Sequence, residues 1–275
     1  MYVANHEGNT SLYLRSIDSF ESTPILGTEG AESPFFSPDG QAVGFFAEGK
    51  MKKISIGGGA PTVIATAAAV RGGSWAVDGT IIFAPSITGG LFRVSADGGQ
   101  VKALSSPDHN KREFGHRWPE ILPGGKAVLF TIWTGGDFDT AQIGLLSLST
   151  GEKRTLIEGG YYARYVNSGY LVYARAGELL GVPFDLDRLE VKGSPISILK
   201  GIMTNTSVGT AEFSVARNGS PAYVPGGSQV ADRTLVWVDG EGIRQPLPAP
   251  PRGYVAPRIS PDGKRVAVSI QGNNP

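Results

Sequence analysis

The sequence lacks cysteine in all of its 275 residues, so neither disulfide bonds nor thiolate metal sites hold the fold together. Charge of one sign is also lacking, because 25 Lys and Arg balance 25 Asp and Glu. That balance argues against a partner such as DNA, RNA or an anionic membrane. The three histidines stand singly, without metal-ligand spacing, and no apolar run approaches the roughly 18 residues of a membrane-spanning helix. We therefore predict no metal, no nucleic acid and no membrane insertion. Residues 1–4 read as strand and not as a targeting segment.

Glycine, in contrast, is abundant: 39 residues, about twice the usual ~7%. Helical periodicity is not sustained for three turns anywhere, whereas short alternating runs such as Leu12-Tyr13-Leu14-Arg15 are typical of half-buried strands. Asp-Gly pairs between such runs favour tight hairpin turns. The composition and patterning therefore predict an all-β protein.

A repeat runs through the chain, seen most clearly in Phe36-Ser37-Pro38-Asp39-Gly40 and Ile259-Ser260-Pro261-Asp262-Gly263. Weaker copies lie between them, and the equivalent positions are Pro38, Val77, Pro123, Ser168, Asn218 and Pro261. Their spacings of 39, 46, 45, 50 and 43 residues suit four antiparallel strands per repeat. Sheets of that size without helical partners must pack on one another, as the blades of a β-propeller do.

Six repeats predict a single domain, residues 1–275, that forms a six-bladed β-propeller. The predicted blades cover approximately residues 31–66, 70–105, 115–158, 161–200, 210–248, and 254–275 together with 1–28. In the last blade the C-terminus supplies the two inner strands and the N-terminus the two outer strands, which removes exposed sheet edges. Tyr2-Val3-Ala4 also resembles a second strand and has no place in this scheme.

The repeated Ser-Pro-Asp-Gly turn resembles the TolB-like, WD-like (PD40-type) propeller repeat, whose hallmark is an aromatic-Ser-Pro-Asp-Gly-Lys turn. The resemblance covers essentially the whole chain. His116-Arg117-Trp118-Pro119 and residues 235–239 are similar to the sensor segments fused to bacterial serine/threonine protein kinases. None of the kinase's own motifs is present. The resemblance implies a sensor module, part of a larger kinase-linked chain, located outside the cytoplasm or in the periplasm.

Strand order places long connections, residues 105–115, 133–141 and 200–211, on one face, which we call the loop face. The tight Asp-Gly hairpins lie on the opposite hairpin face. Because binding concentrates on long loops carried by rigid scaffolds, we predict the ligand site at the loop face and the adjoining channel mouth. The predicted ligand-binding residues lie at the beginning of the innermost strands, next to that position, or further along the same strands: Glu32, Arg71, His116, Arg117, Tyr162, Arg164, Glu212, Tyr254 and Arg258. These side chains either bind a polar or anionic ligand or pair with one another across a hydrated channel.

Evidence for catalysis is weaker. His116, Arg117 and Glu212 are the candidate catalytic residues, and Ser74 lacks the full nucleophile motif. Asp137 and Asp139 offer a calcium loop, although a solvated acidic loop fits them better. No other cofactor is predicted.

The leading hypothesis is a non-catalytic binding or sensing module for a protein, peptide or small polar ligand. The alternative is a hydrolase or lyase that acts on an ester, lactone or acidic sugar at the same mouth. Fold alone does not separate them.

Overall fold

The computed structural model describes residues 1–6, 9–15, 21–216, 219–226, 235–238, 241, 243–250, 253–259 and 266–271. For residues 253–259 and 266–271 it describes the backbone strands alone. The described residues are almost entirely strand, as predicted, with two short 3₁₀ helices, His109–Lys111 and Phe138–Thr140. Within this part of the chain, the structure has no helix of the length and hydropathy that crossing a membrane requires.

Five sheets of three or more strands follow one another along the chain. The first is three-stranded: β1 (Tyr2–His6), β2 (Asn9–Arg15) and β3 (Ser22–Pro24). The second contains β4 (Glu32–Phe36), β5 (Ala42–Ala47), β6 (Lys50–Ser55) and β7 (Thr62–Thr66). The third contains β8 (Gly73–Trp75), β9 (Thr80–Phe83), β10 (Phe92–Ser95) and β11 (Gly98–Ala103). The fourth contains β12 (Gly115–Ile121), β13 (Ala127–Trp133), β14 (Gln142–Ser147) and β15 (Lys153–Glu158). The fifth contains β16 (Tyr161–Val166), β17 (Tyr170–Arg175), β18 (Glu178–Asp185), β19 (Glu190–Val191) and β20 (Ile196–Lys200).

The rest of the described chain forms two-stranded pairs. These are β21 (Thr204–Asn205) with β22 (Thr210–Ala211), β23 (Phe213–Val215) with β24 (Pro221–Tyr223), β25 (Val236–Val238) with β26 (Arg244–Pro246), and β27 (Gly253–Ile259) with β28 (Val266–Gln271). All strand pairs in the named sheets are antiparallel.

The structure therefore has five blades, and the prediction of six with a shared last blade is wrong for the described residues. The physical reason lies in β1, the segment that the sequence left unplaced. β1 pairs with one edge of β2 (Ala4 opposite Ser11) and β3 with the other (Leu14 opposite Thr23), so β2 has no free edge for β28. β28 pairs with β27 in a separate hairpin.

Neighbouring blades pack through interlocking apolar side chains. The core between the second and third sheets contains Phe46, Met51 and Ile64 on one side and Ile81 and Phe83 on the other, along with smaller residues. A similar cluster joins the fourth and fifth sheets. Burial of this apolar surface holds the blades together, at about 25 cal/mol per Å² removed from water.

One aromatic ring shows how closely the blades approach. The Phe35 ring on β4 lies over Gly44 of its own sheet and Gly73 of the next. A Cβ at Gly73 would stand 2.6 Å from the ring, so a side chain there would force the two innermost strands apart.

Candidate functional site

The innermost strands share a bulge that sets the directions of the candidate side chains. On β4, β12 and β16 the register shifts by one residue, and one residue in each bulge has a positive φ: Ser33 (48°), Trp118 (54°) and Tyr162 (57°). Gly72, just before β8, has a φ of 93°. Such bulges re-aim side chains at functional sites. The sequence gives little sign of them, because only one of the four residues is glycine.

These bulges also align the repeats. Glu32, Arg71 and Arg117, which share a spacing in the sequence, each stand directly before the positive-φ residue. In the next blade Tyr161 holds this place and Tyr162 is the positive-φ residue itself. The sequence alignment was off by one there, because the fourth anchor lies within a Val-Asn-Ser-Gly turn without proline or aspartate to fix it.

Arg117 is almost completely enclosed, with 1% of its surface exposed. Its guanidinium carbon lies 4.3 Å from the centre of the Trp133 ring and 5.1 Å from that of Phe138. Two backbone carbonyl oxygens accept its hydrogen bonds, that of Ile87 from Nη2 (3.0 Å) and that of Val208 from Nη1 (3.4 Å). Its Nε–H is buried without an acceptor among the described residues, and no carboxylate forms an ion pair with it there.

Arg71 lies on the blade next to that of Arg117, and the Trp118 N–H donates to the backbone carbonyl of Arg71 (2.7 Å). Like Arg117, it has a buried side-chain donor without a partner among the described residues. Its Nη1 donates to the carbonyl of Val70 (2.6 Å), and its buried Nε–H has no acceptor in the described structure. Burial lowers the pKa of Arg71, and the nearby Glu32 partly opposes that effect. Burial, together with the positive charge of Arg71, lowers the pKa of Arg117 to about 10. Both guanidinium groups carry a positive charge at neutral pH, as arginine does in proteins.

Arg164 behaves differently, because it does pair. Its Nε lies 3.2 Å from Oε2 of Glu120 on the preceding blade, and its guanidinium stacks on the Tyr162 ring at 3.9 Å. Glu120 Oε1 also accepts the Tyr165 N–H (2.7 Å), and burial raises the pKa of Glu120 against these two favourable contacts. At Arg164, the structure thus shows pairing between blades.

Ser74 makes the same contact one blade earlier. Ser74 occupies the position in its blade that Glu120 occupies in the next, and its Oγ accepts the backbone N–H of Ile121 (3.0 Å). Its role in the structure is to join two innermost strands.

His116 belongs to a buried polar cluster whose other members the sequence did not single out. Its Nδ1 lies 2.7 Å from Ser105 Oγ, and its Nε2 lies 3.0 Å from Glu113 Oε2. Glu113 also accepts the Asp108 N–H (2.8 Å) and pairs closely with Lys153. The imidazole is fully buried, and desolvation lowers the pKa of His116 to about 4. A neutral imidazole that accepts from Ser105 and donates to Glu113 fits these contacts.

Among the remaining candidate residues, the structure describes the side chains of Glu212, Asp137 and Asp139. Glu212 has an exposed side chain, and partial desolvation raises its pKa. The side chains of Tyr254 and Arg258 lie outside the described residues. Asp137 Oδ1 accepts the Asp139 N–H (3.0 Å), and Asp139 Oδ1 accepts the Ala176 N–H (2.6 Å), so both carboxylates serve the backbone. The described residues contain no group of three or more His, Cys, Asp or Glu placed to hold a metal ion.

The hairpin face also has an opening. A cavity of about 840 Å³ is lined by the first-to-second turns of four blades and the turn after β23, including Pro38, Val77, Pro123, Asn167 and Ala216. Turns from successive repeats that surround one cavity indicate radial order about an axis. The ligand site predicted from the sequence lies on the loop face, and this cavity on the hairpin face was not predicted.

No protein-family model matches the sequence, and neither does any curated protein. Among solved structures, TolB from Acinetobacter baumannii is similar over 72% of this chain and 52% of its own, with a TM-score of 0.56 and 17% identity. Regucalcin, a calcium-binding protein from Agrobacterium tumefaciens, covers 90% of this chain and 82% of its own (TM-score 0.52, 15% identity). A streptogramin B lyase covers 95% and 83% (TM-score 0.53, 13% identity).

The chain is a β-propeller. At these identities the likeness shows the fold alone, since TolB, a calcium-binding protein and a lyase share it. The chain spans about half the length of the TolB structure that it matches. The function of this propeller must therefore be argued from its own side chains.

Proposed function

We propose that this propeller is a non-catalytic binding or sensing module whose ligand contacts the loop face at the channel mouth. The observation that carries the proposal is the pair Arg71 and Arg117, two neighbouring guanidinium groups with buried donors left unpartnered in the described structure. Buried donors and charges of this kind destabilise a protein unless something pairs with them. A ligand would supply the missing acceptor.

The enzyme alternative relies chiefly on His116, the one histidine among the candidate catalytic residues. Its imidazole is fully buried, both ring nitrogens have protein partners, and its low pKa keeps it neutral. These contacts support a role for His116 in stability and favour binding over catalysis. A sensor role in a kinase-linked chain outside the cytoplasm, which the resemblance implies, belongs to the same proposal.

The test combines ligand screening with hydrogen-deuterium exchange. A mixed library of neutral, cationic and anionic small molecules is screened by thermal shift, and each hit is mapped by amide protection. We expect hits to protect residues 105–115, 133–141 and 200–211. Protection confined to the hairpin turns near Pro38, Val77 and Pro123 would move the site to the opposite face and refute the proposal.

A panel of chromogenic esters, lactones and glycosides tests the alternative. Turnover by the wild type that disappears in both Arg117→Ala and His116→Ala, but persists in His109→Ala, would replace the binding module with an enzyme. We expect no turnover.

A further inference from the structure

We propose that Arg71 and Arg117 together bind one oxoanion, the carboxylate or phosphate group of a small ligand. This inference rests on the proposed function and names the chemical class of its ligand.

Arg71 and Arg117 carry more positive charge than the described residues around them offset. Arg71 and Arg117 lie on adjacent blades whose backbones meet there, because the Trp118 N–H donates to the Arg71 carbonyl (2.7 Å), and the acidic side chain that acts on Arg71 is Glu32. Arg164, on the next blade, has Glu120 as its own partner. Among the described residues, Arg71 and Arg117 thus hold one positive charge more than their surroundings offset. One singly charged anion would balance it.

Each of the two arginines also has a side-chain N–H donor that no described residue uses. Arg117 uses Nη1 and Nη2 on the carbonyls of Val208 and Ile87, and Arg71 uses Nη1 on the carbonyl of Val70. The Nε–H of each residue has no acceptor in the described structure. Two N–H donors from two planar guanidinium groups suit an anion with several oxygens better than a spherical halide.

The Arg117 guanidinium is also held rigidly by its neighbours. Trp133 and Phe138 hold the Arg117 guanidinium between aromatic contacts, and the Val208 carbonyl is fixed by a further hydrogen bond from Trp118 Nε1 (3.0 Å). Gly209, with a φ of 75°, lets the loop lie directly on Phe138. A preorganised guanidinium loses little conformational freedom on binding. Arg71 is only partly buried, and the ligand would enter from its side.

The experiment is isothermal titration of acetate, glutarate and inorganic phosphate at constant ionic strength, with chloride and glucose as comparison solutes. We expect at least one oxoanion to saturate a single site, with chloride much weaker. Binding of phosphate alone or of carboxylates alone identifies the ligand group. Arg71→Gln should weaken binding by about tenfold or more, the ordinary effect of losing a charge-assisted hydrogen bond.

Arg93→Gln is the matched control, because it removes the same charge from an exposed position on β10. It should change the dissociation constant less than about twofold, as a distant surface charge does at moderate ionic strength. Arg117→Gln is the second variant and should act like Arg71→Gln. Equal effects of Arg71→Gln and Arg93→Gln, or chloride binding as tightly as the oxoanions, would overturn the proposal.

The results also separate this inference from the proposed function. Neutral or cationic hits that protect the loop face, in the absence of any saturable oxoanion, would refute the oxoanion and leave the binding module standing. Absence of any loop-face ligand would refute both.

Discussion

Acidification should destabilise this propeller through His116. Its pKa is about 4 in the folded chain against 6.5 for an ordinary histidine, because burial disfavours the charged imidazole. Between these values the unfolded chain binds a proton that the folded chain does not. The contribution of neutral His116 to stability is therefore fully present above about pH 7 and is lost as the pH falls through 6.5 toward 4. The slope is about 1.4 kcal/mol per pH unit, which amounts to about 2.5 kcal/mol between pH 7.5 and 4.5.

Urea unfolding, followed by tryptophan fluorescence at several pH values, measures this loss. His116→Gln removes the titrating group and should flatten the wild-type curve between pH 7.5 and 4.5 by about the same 2.5 kcal/mol, whatever its effect on stability at pH 7.5. His109→Gln is the matched control, since His109 lies exposed in the loop that precedes β12, and it should keep the wild-type slope. Titration of His116 near pH 6.5 by NMR, or an unchanged slope in His116→Gln, would refute the assigned burial and its contacts with Ser105 and Glu113.

Two further changes test the contacts around the site. Gly209→Ala should lower the free energy of unfolding in urea by about 2–4 kcal/mol, because alanine is strained at a φ of 75° and its Cβ would overlap the Phe138 ring. The control is Gly151→Ala, where φ is 73° but the space around the residue is open, and it should cost only about 1 kcal/mol. A double-mutant cycle of Glu120→Gln and Arg164→Gln should give a coupling of about 1 kcal/mol that weakens with salt, and zero coupling would mean that the pair does not hold the blades together.

Local patterns in the sequence predicted the strands well, because each Asp-Gly or Asn-Gly turn and each alternating run reports its own conformation. The number of blades depended instead on which strand pairs with which edge, and that is decided by β1. Its sequence, Tyr2-Val3-Ala4, reads as a strand but does not specify a partner. The sequence therefore identified the propeller and miscounted its blades.

The candidate site was predictable to the same degree. A common spacing placed Glu32, Arg71 and Arg117 before the innermost strands, and all three precede a positive-φ residue. The members of the His116 cluster come from three segments, Ser105 and Glu113 in one loop and Lys153 at the start of β15, more than 30 residues away. Periodicity gives no information about contacts of that kind.

Arg117 and Arg164 show why a shared motif does not imply a shared role. Both are arginines on innermost strands, but Arg164 follows the bulge of its blade and lies across from Glu120, which follows the bulge of the preceding blade. Arg117 precedes its bulge, where the neighbouring blade presents Arg71 rather than a carboxylate. A guanidinium enclosed by rings and backbone carbonyls, next to a second one, is a poor contributor to folding. Its presence at this position is what we expect if it binds the proposed oxoanion.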